Sequence, residues 1–220
     1  MRATPSALLF DLDGTLLDSV PDLAQAVDRM LLDLGFDAAG EALVRRWVGN
    51  GSRKLVQRAL AHARGIDEAA VVEPDIDAPQ QRFFYHYQQC CTERSRLYDG
   101  VMEALAQWAG RGVPMACVTN KPGRFTERLL DHFDLRRFLP VAISGDSLPT
   151  RKPDPQMLFH ACQLLGAEPA AAWMIGDSRN DVQAARAAGM AAICVSYGYN
   201  HGRPVADEGP DRLLDSLADL

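Results

Sequence analysis

The sequence predicts a doubly wound α/β protein with a helical insertion, and three observations carry that reading. Five short apolar runs, residues 7–10, 113–118, 141–143, 172–175 and 191–195, recur along the 220-residue chain. Amphipathic stretches separate the last four, and the long interval between the first and second has a different texture, without comparable runs. Runs that are unbroken instead of alternating suit strands covered on both faces, as in a parallel sheet flanked by helices. Alternation of such strands with amphipathic helices favours a doubly wound core.

Taken in order, the first run, Ala7-Leu8-Leu9-Phe10, ends at Asp11-Leu12-Asp13-Gly14-Thr15. In the interval that follows, Leu23, Val27, Met30, Leu31 and Leu34 share one face of a helix that begins at Ser19 and Pro21 and stops at Gly35. Further helices are predicted over 41–48, 52–63 and 79–92. The insert spans 18–96, leaving 1–17 and 97–220 as the core, with Leu17-Asp18 and Tyr98-Asp99-Gly100 as hinges. The same periodicity also permits these helices to be one more layer of a continuous domain. Helical stretches 101–108 and 125–133 flank the second run, 157–165 precedes the fourth, and 177–188 joins the fourth to the fifth.

Composition narrows the function classes. A content of 47% hydrophobic and 24% charged residues is that of an ordinary globular protein. The net charge of −6 argues against non-specific nucleic-acid binding, which draws its affinity from cations on phosphates. The apolar stretch before Asp11 is too short for a signal-peptide core, and none approaches the roughly 20 residues of a membrane span. A cytoplasmic protein without membrane or nucleic-acid partners, a monomer or homodimer, is the expectation. Five cysteines, with Cys90 and Cys91 adjacent, fit neither a disulfide framework nor a zinc site. Cys117 and Cys194 lie in apolar runs and read as core fillers.

In an open parallel sheet, ligands bind at the carboxyl ends of the strands. Asp11 and Asp13 follow the first run, Thr119-Asn120 the second and Gly176-Asp177-Ser178-Arg179-Asn180-Asp181 the fourth, while Lys152 lies between the third run and the next helix. Each group alone has a plainer explanation as a turn, a helix cap or a solvated lysine. Together they fall on loops that this fold brings to one edge. A carboxylate at the mouth of a buried strand can attack phosphorus, and a second one two residues on can carry protons. Two charges about 4 Å apart repel by roughly 4 kcal/mol at an effective dielectric of 20, so such a cluster calls for a hard cation. Oxygen-only ligands and a phosphate substrate favour Mg²⁺, held by Asp11, Asp177 and the backbone carbonyl of Asp13, with Asp181 behind them. Lys152 and the ion would offset repulsion between an anionic nucleophile and a phosphoryl group.

Asp11-Leu12-Asp13-Gly14-Thr15-Leu16, Thr119-Asn120, Lys152-Pro153 and Gly176–Asp181 stand in the order of the four motifs of the haloacid dehalogenase superfamily, and the whole chain resembles that family. The resemblance implies a three-layer, Rossmann-like α/β core with a helical cap of the C1 type inserted after the first strand. It implies Asp11 as the nucleophile that forms an aspartyl-phosphate, and Asp13 as the acid and then the base. It implies Thr119, Asn120 and Lys152 as phosphate ligands. Dehalogenases of the family lack an acid two residues after the nucleophile, so Asp13 points to phosphoryl transfer and a small phosphate-ester substrate.

Trp47-Val48-Gly49-Asn50-Gly51, residues 55–60 and Tyr197-Gly198-Tyr199-Asn200 resemble bacterial phosphoglycolate phosphatases. That likeness implies hydrolysis of 2-phosphoglycolate to glycolate and phosphate, with Asn50 as a candidate for substrate specificity and Arg53 or Lys54 as further donors. A helix-connecting turn accounts for Gly49-Asn50-Gly51 as readily, and a solvated helix face is the plainer account of Arg53 and Lys54. Asp99, Ser144 and Met157 depart from the usual family pattern, away from the catalytic groups. Rival readings are a phosphatase for a sugar or amino-sugar phosphate, a phosphosugar mutase, and a non-catalytic binding module. The last is disfavoured because every catalytic position is filled.

Overall fold

Five apolar runs become five parallel strands in a computed structural model that describes residues 4–220; the first three residues of the expected core segment lie outside it. The strands are β1 (Leu8–Phe10), β2 (Leu17–Asp18), β3 (Arg96–Leu97), β4 (Met115–Val118), β5 (Val141–Ile143), β6 (Trp173–Gly176), β7 (Ala191–Val195) and β8 (Arg212–Leu214). The helices are α1 (Val20–Asp33), α2 (Glu41–Trp47), α3 (Ser52–Arg64), α4 (Pro74–Cys90), α5 (Val101–Gly110), α6 (Gly123–His132), α7 (Gln156–Leu165) and α8 (Arg179–Ala188).

Six strands form one parallel sheet in the order β5-β4-β1-β6-β7-β8. Strand β1 is central, with Leu8 opposite Met115 on one side and Trp173 on the other. Alternation along each strand explains why the runs are unbroken. Leu8, Phe10, Met115, Cys117, Ile175 and Ile193 pack beneath α5 and α6 with Leu105, Trp108 and Leu129. Leu9, Ala116, Val118 and Met174 pack on the opposite face with Met157, Leu158, Val182 and Ala185 of α7 and α8. This is the three-layer α/β fold. Strand β8 was not anticipated, because Arg212-Leu213-Leu214 is a short edge strand with Leu213 exposed and so carries no buried run.

Helices α1 to α4 pack around a separate apolar cluster that includes Val27, Met30, Val56, Leu60, Phe83 and Tyr87, and reaches the core through Phe125 and Tyr199. Helix α4 begins five residues before the expected start at Pro79. Pro74 occupies its first turn with Asp75 and Asp77, where a missing N–H costs nothing and acidic side chains suit the helix dipole, while Pro79 lies inside the helix. The chain leaves and re-enters the sheet layer through the antiparallel ribbon of β2 and β3, Leu17 opposite Leu97 and Asp18 opposite Arg96. The returning chain is therefore paired before Tyr98, the residue at which the second hinge was expected to begin. All five cysteines are free and buried. Among the described residues, no helix is long and apolar enough to cross a membrane.

Candidate active site

The three central strands, β4, β1 and β6, end side by side, and their carboxyl ends deliver the predicted residues to one place. Asp11 continues β1, its N–H donating to the Ile175 carbonyl at 2.9 Å. The chain then folds back on itself: the N–H groups of Leu16 and Leu17 donate to the Leu12 carbonyl, and that of Gly14 to the Leu17 carbonyl at 2.8 Å. Gly14 has φ +89°, and a Cβ there would stand 2.1 Å from Asp177 Oδ2, so the turn and the close approach both require glycine.

Lys152 reaches this edge from the loop between β5 and α7. Its Nζ lies 3.0 Å from Asp11 Oδ1 and 2.6 Å from Asp181 Oδ1, with the side chain 1% exposed. The contact with Asp11 is an ion pair outside hydrogen-bond geometry, so Asp11 Oδ1 is buried without a hydrogen bond. Asp177 accepts from the Tyr199 backbone N–H at 2.5 Å and from Thr15 Oγ1 at 3.2 Å. Asp181 Oδ2 accepts from the Ser178 N–H and hydroxyl, closing the start of α8. Thr119 and Asn120 follow β4, both buried, and the Asn120 amide donates to the Lys152 carbonyl at 3.0 Å.

Carboxylate oxygens of Asp11, Asp177 and Asp181 all lie within 4.8 Å of one another. Burial pushes the Asp11 carboxyl up to about 6; Lys152 opposes that shift, while Asp181 and Asp13 add to it. Burial, then Asp181 and Asp11, holds Asp177 well above the carboxylate range. Burial also works against the Lys152 charge, but Asp11 and Asp181 outweigh it and raise the ammonium. Three buried carboxylates facing one cation are short of positive charge, and an all-oxygen donor set fits a hard divalent ion. Asp181 belongs to the same cluster with its two oxygens held by Lys152 and Ser178, and both Asp177 oxygens also accept hydrogen bonds, whereas Asp11 Oδ1 accepts none. The Asp13 carboxylate is not one of the three clustered groups and is engaged instead by Lys121 and Ser19.

Residues 5–189 match the model of the haloacid dehalogenase-like hydrolases. The chain belongs to that family. It is 48% identical over 216 residues to a phosphoglycolate phosphatase of Pseudomonas syringae pv. syringae, covering 98% of this chain and 78% of that one. A phosphoglycolate phosphatase of Nitrosococcus oceani is 44% identical, with 100% and 96% covered. The crystal structure of a predicted phosphoglycolate phosphatase from Haemophilus somnus 129pt superposes with a TM-score of 0.92 at 35% identity, covering 100% and 97% of the two chains. By family and by these relatives the chain is an enzyme, a phosphatase, and its sheet with covering helices is the Rossmann-like fold of the haloacid dehalogenase-like hydrolases.

In this member of the haloacid dehalogenase-like family, a cleft of about 500 Å³, counting the part open to solvent, lies between strand ends and inserted helices. Asp11, Asp13, Thr119 and Asn120 line its floor; Leu23, Val48, Leu55, Phe83 and Tyr87 line its roof. The floor also holds a residue that sequence reasoning passed over. Lys121 Nζ lies 2.9 and 3.0 Å from the two Asp13 oxygens, and Ser19 Oγ donates to Asp13 Oδ1 at 2.5 Å. The only sequence signal for Lys121 was its place directly after Thr119-Asn120.

The 49–51 loop meets the catalytic edge through its backbone. The Gly49 carbonyl accepts from the side-chain amides of Asn120 at 3.2 Å and Asn180 at 3.1 Å. The Asn50 side chain is engaged elsewhere, donating to Asn180 Oδ1 and accepting from Arg58. Arg53 pairs with Glu73 and Asp77, and Lys54 with Glu68. These two cations are the salt-bridged helix face that was the plainer of the two readings.

Proposed function

We propose that the protein is a cytoplasmic, Mg²⁺-dependent phosphomonoesterase that works through an aspartyl-phosphate and hydrolyses 2-phosphoglycolate to glycolate and phosphate. The observation that carries this reading is the meeting, at the end of β1, of the buried Asp11 carboxylate with Asp177 and the Lys152 ammonium. The names of the relatives support the choice of ester. Five free, buried cysteines suit a reducing compartment.

In this reading an Asp11 oxygen attacks phosphorus while the bond to the ester oxygen breaks, and Asp13 gives that oxygen its proton. Water then attacks the phosphorus of the aspartyl-phosphate, Asp13 takes the water's proton, and the bond to Asp11 breaks to release phosphate. Thr119, the Asn120 backbone N–H and Lys152 hold the phosphoryl oxygens. Bound at Asp11, Asp177 and the Asp13 carbonyl, with Asp181 behind them, Mg²⁺ supplies positive charge against which the phosphate dianion can approach a carboxylate. Residues 18–96 act as a cap: the Gly49 carbonyl engages Asn120 and Asn180, and closure over the cleft would keep bulk water from the first step.

A panel of phosphate monoesters with purified protein and Mg²⁺ tests this. The expected result is preferred release of phosphate from 2-phosphoglycolate. Preference for hexose or amino-sugar phosphates would reassign the substrate, and isomerised product without free phosphate would make the enzyme a mutase.

A further inference from the structure

Two groups in the cleft are left without a role by the chemistry above. Lys121 is the one cation among the described residues that line it, with its side chain 3% exposed. Tyr87, from the inserted helix α4, has its ring 4.8 Å from Lys121 Nζ, and its hydroxyl is buried with no hydrogen-bond partner. Burial first, then the charge of Asp13, keeps this phenol far above its ordinary titration range, so it remains a donor. A buried hydroxyl without an acceptor is costly, on the order of 1–3 kcal/mol, and this one lines a cleft from which a water or a ligand can supply the acceptor.

We propose that Lys121 and Tyr87 form a carboxylate-binding subsite that selects esters carrying a second anionic group two bonds beyond the ester oxygen. The inference rests on the phosphomonoesterase reading. If Asp13 protonates the ester oxygen, the carboxyl carbon of a two-carbon acid is two bonds away, and the residues touching Asp13 are the first it meets. Lys121 is such a residue, at 2.9 Å. Its ammonium has three N–H donors, which allows it to keep Asp13 while donating to a substrate oxygen. Its charge also offsets that of Asp13, against which a carboxylate would otherwise have to approach. Leu23, Val48, Leu55 and Phe83 make most of the remaining roof apolar, and the Ser52 hydroxyl beside them already accepts from Gln80, so a polyol would lose more water contacts there than it could replace. One end of the subsite comes from the core and the other from the helical insert, so an anion bound there would also draw the two together.

The test compares kcat/KM for 2-phosphoglycolate with that for 2-hydroxyethyl phosphate, which keeps the skeleton and replaces the carboxylate by a neutral alcohol. Wild type should prefer the acid by roughly 10-fold or more, from the strength of a charged hydrogen bond. Lys121→Met should reduce the ratio of the two values by roughly 10- to 100-fold, and Tyr87→Phe by roughly 5- to 10-fold. The ratio is the readout because any loss through Asp13 falls on both esters alike. A wild-type ratio near one, or variants that slow both esters equally, would overturn the subsite while leaving the phosphatase reading intact. The wild-type ratio requires no variant to fold. Failure to release phosphate from any monoester would overturn the phosphatase reading, and the subsite with it.

Discussion

Lys152 and Asp11 are an ion pair formed across 141 residues of sequence, with Nζ 3.0 Å from Oδ1 and neither side chain more than 12% exposed. The pair sets the electrostatics of the site. A single ammonium faces Asp11 and Asp181 while Asp177 adds a third buried carboxyl. Burial raises Asp11 to about 6, with Lys152 opposing the rise and Asp181 adding to it.

Replacing the attacking oxygen should therefore end catalysis without harming the fold. Asp11→Asn is expected to lower turnover by roughly 10⁴-fold or more, as losses of a nucleophile do. Its thermal midpoint should equal or exceed that of wild type, since one of three crowded carboxylates becomes neutral and Lys152 keeps Asp181. Retained turnover would remove Asp11 as the nucleophile.

Chelation should abolish activity and added Mg²⁺ restore it. Because the ion binds the folded chain, a concentration about 100 times Kd should add about 2.7 kcal/mol of stability, on the order of 5–10 °C in a chain of this size. Differential scanning calorimetry at neutral pH would show that shift in wild type and not in Asp177→Asn. An equal shift in both would place the ion elsewhere.

Gly14→Ala tests the close packing behind the ion. The new Cβ would fall 2.1 Å from Asp177 Oδ2 at a φ of +89°, so the turn must open or Asp177 must move. A loss of roughly 1–3 kcal/mol is expected, together with a higher Mg²⁺ concentration for half-maximal activity. Unchanged Mg²⁺ dependence would mean that the turn absorbs the strain without disturbing Asp177.

Asn50→Ala should act on closure and not on choice of substrate, because the side chain bonds Asn180 and Arg58. Loss of one or two hydrogen bonds should raise KM roughly 2- to 10-fold for all esters alike. A change confined to 2-phosphoglycolate would restore Asn50 as a specificity residue.

His201 should make the protein sensitive to mild acid. Its Nδ1–H donates to the Arg46 carbonyl at 3.2 Å, which leaves Nε2 buried without a partner. Burial lowers the pKa below 6.5; the Arg46 hydrogen bond opposes this, Arg58 and Arg179 reinforce it, and Glu208 opposes it again. The unfolded chain thus takes up the proton at higher pH than the folded one. The stability is present above pH 6.5 and is lost as pH falls through the folded value. His201→Asn keeps a donor and tolerates the φ of +52° at this position. Between pH 7.5 and 5.5 its thermal midpoint should fall less than that of wild type; parallel falls would discount His201.

The sheet was legible because burial on two faces leaves a mark on sequence that needs no partner to be read. Leu8-Leu9-Phe10 is apolar throughout since alternate residues enter different cores. Strand β8 was illegible for the converse reason, an edge strand with one solvated side. The start of α4 was misplaced because Pro79 resembles a first-turn proline, and only the preceding turn at Pro74 shows that it is not.

For the site, the residues themselves determined which chemistry is available: Asp11, Asp13, Thr119, Asn120, Lys152, Asp177 and Asp181 carry their types at the ends of recognisable strands and loops. Tertiary structure alone decided how each side chain is used. It joined Lys121 to Asp13 across 108 residues, turned Asn50 toward Asn180 and Arg58, and left the Tyr87 hydroxyl without a partner. The physical reason is that a residue type sets what a group can donate, accept or bear as charge, whereas its direction and its neighbours depend on packing between segments far apart in the chain.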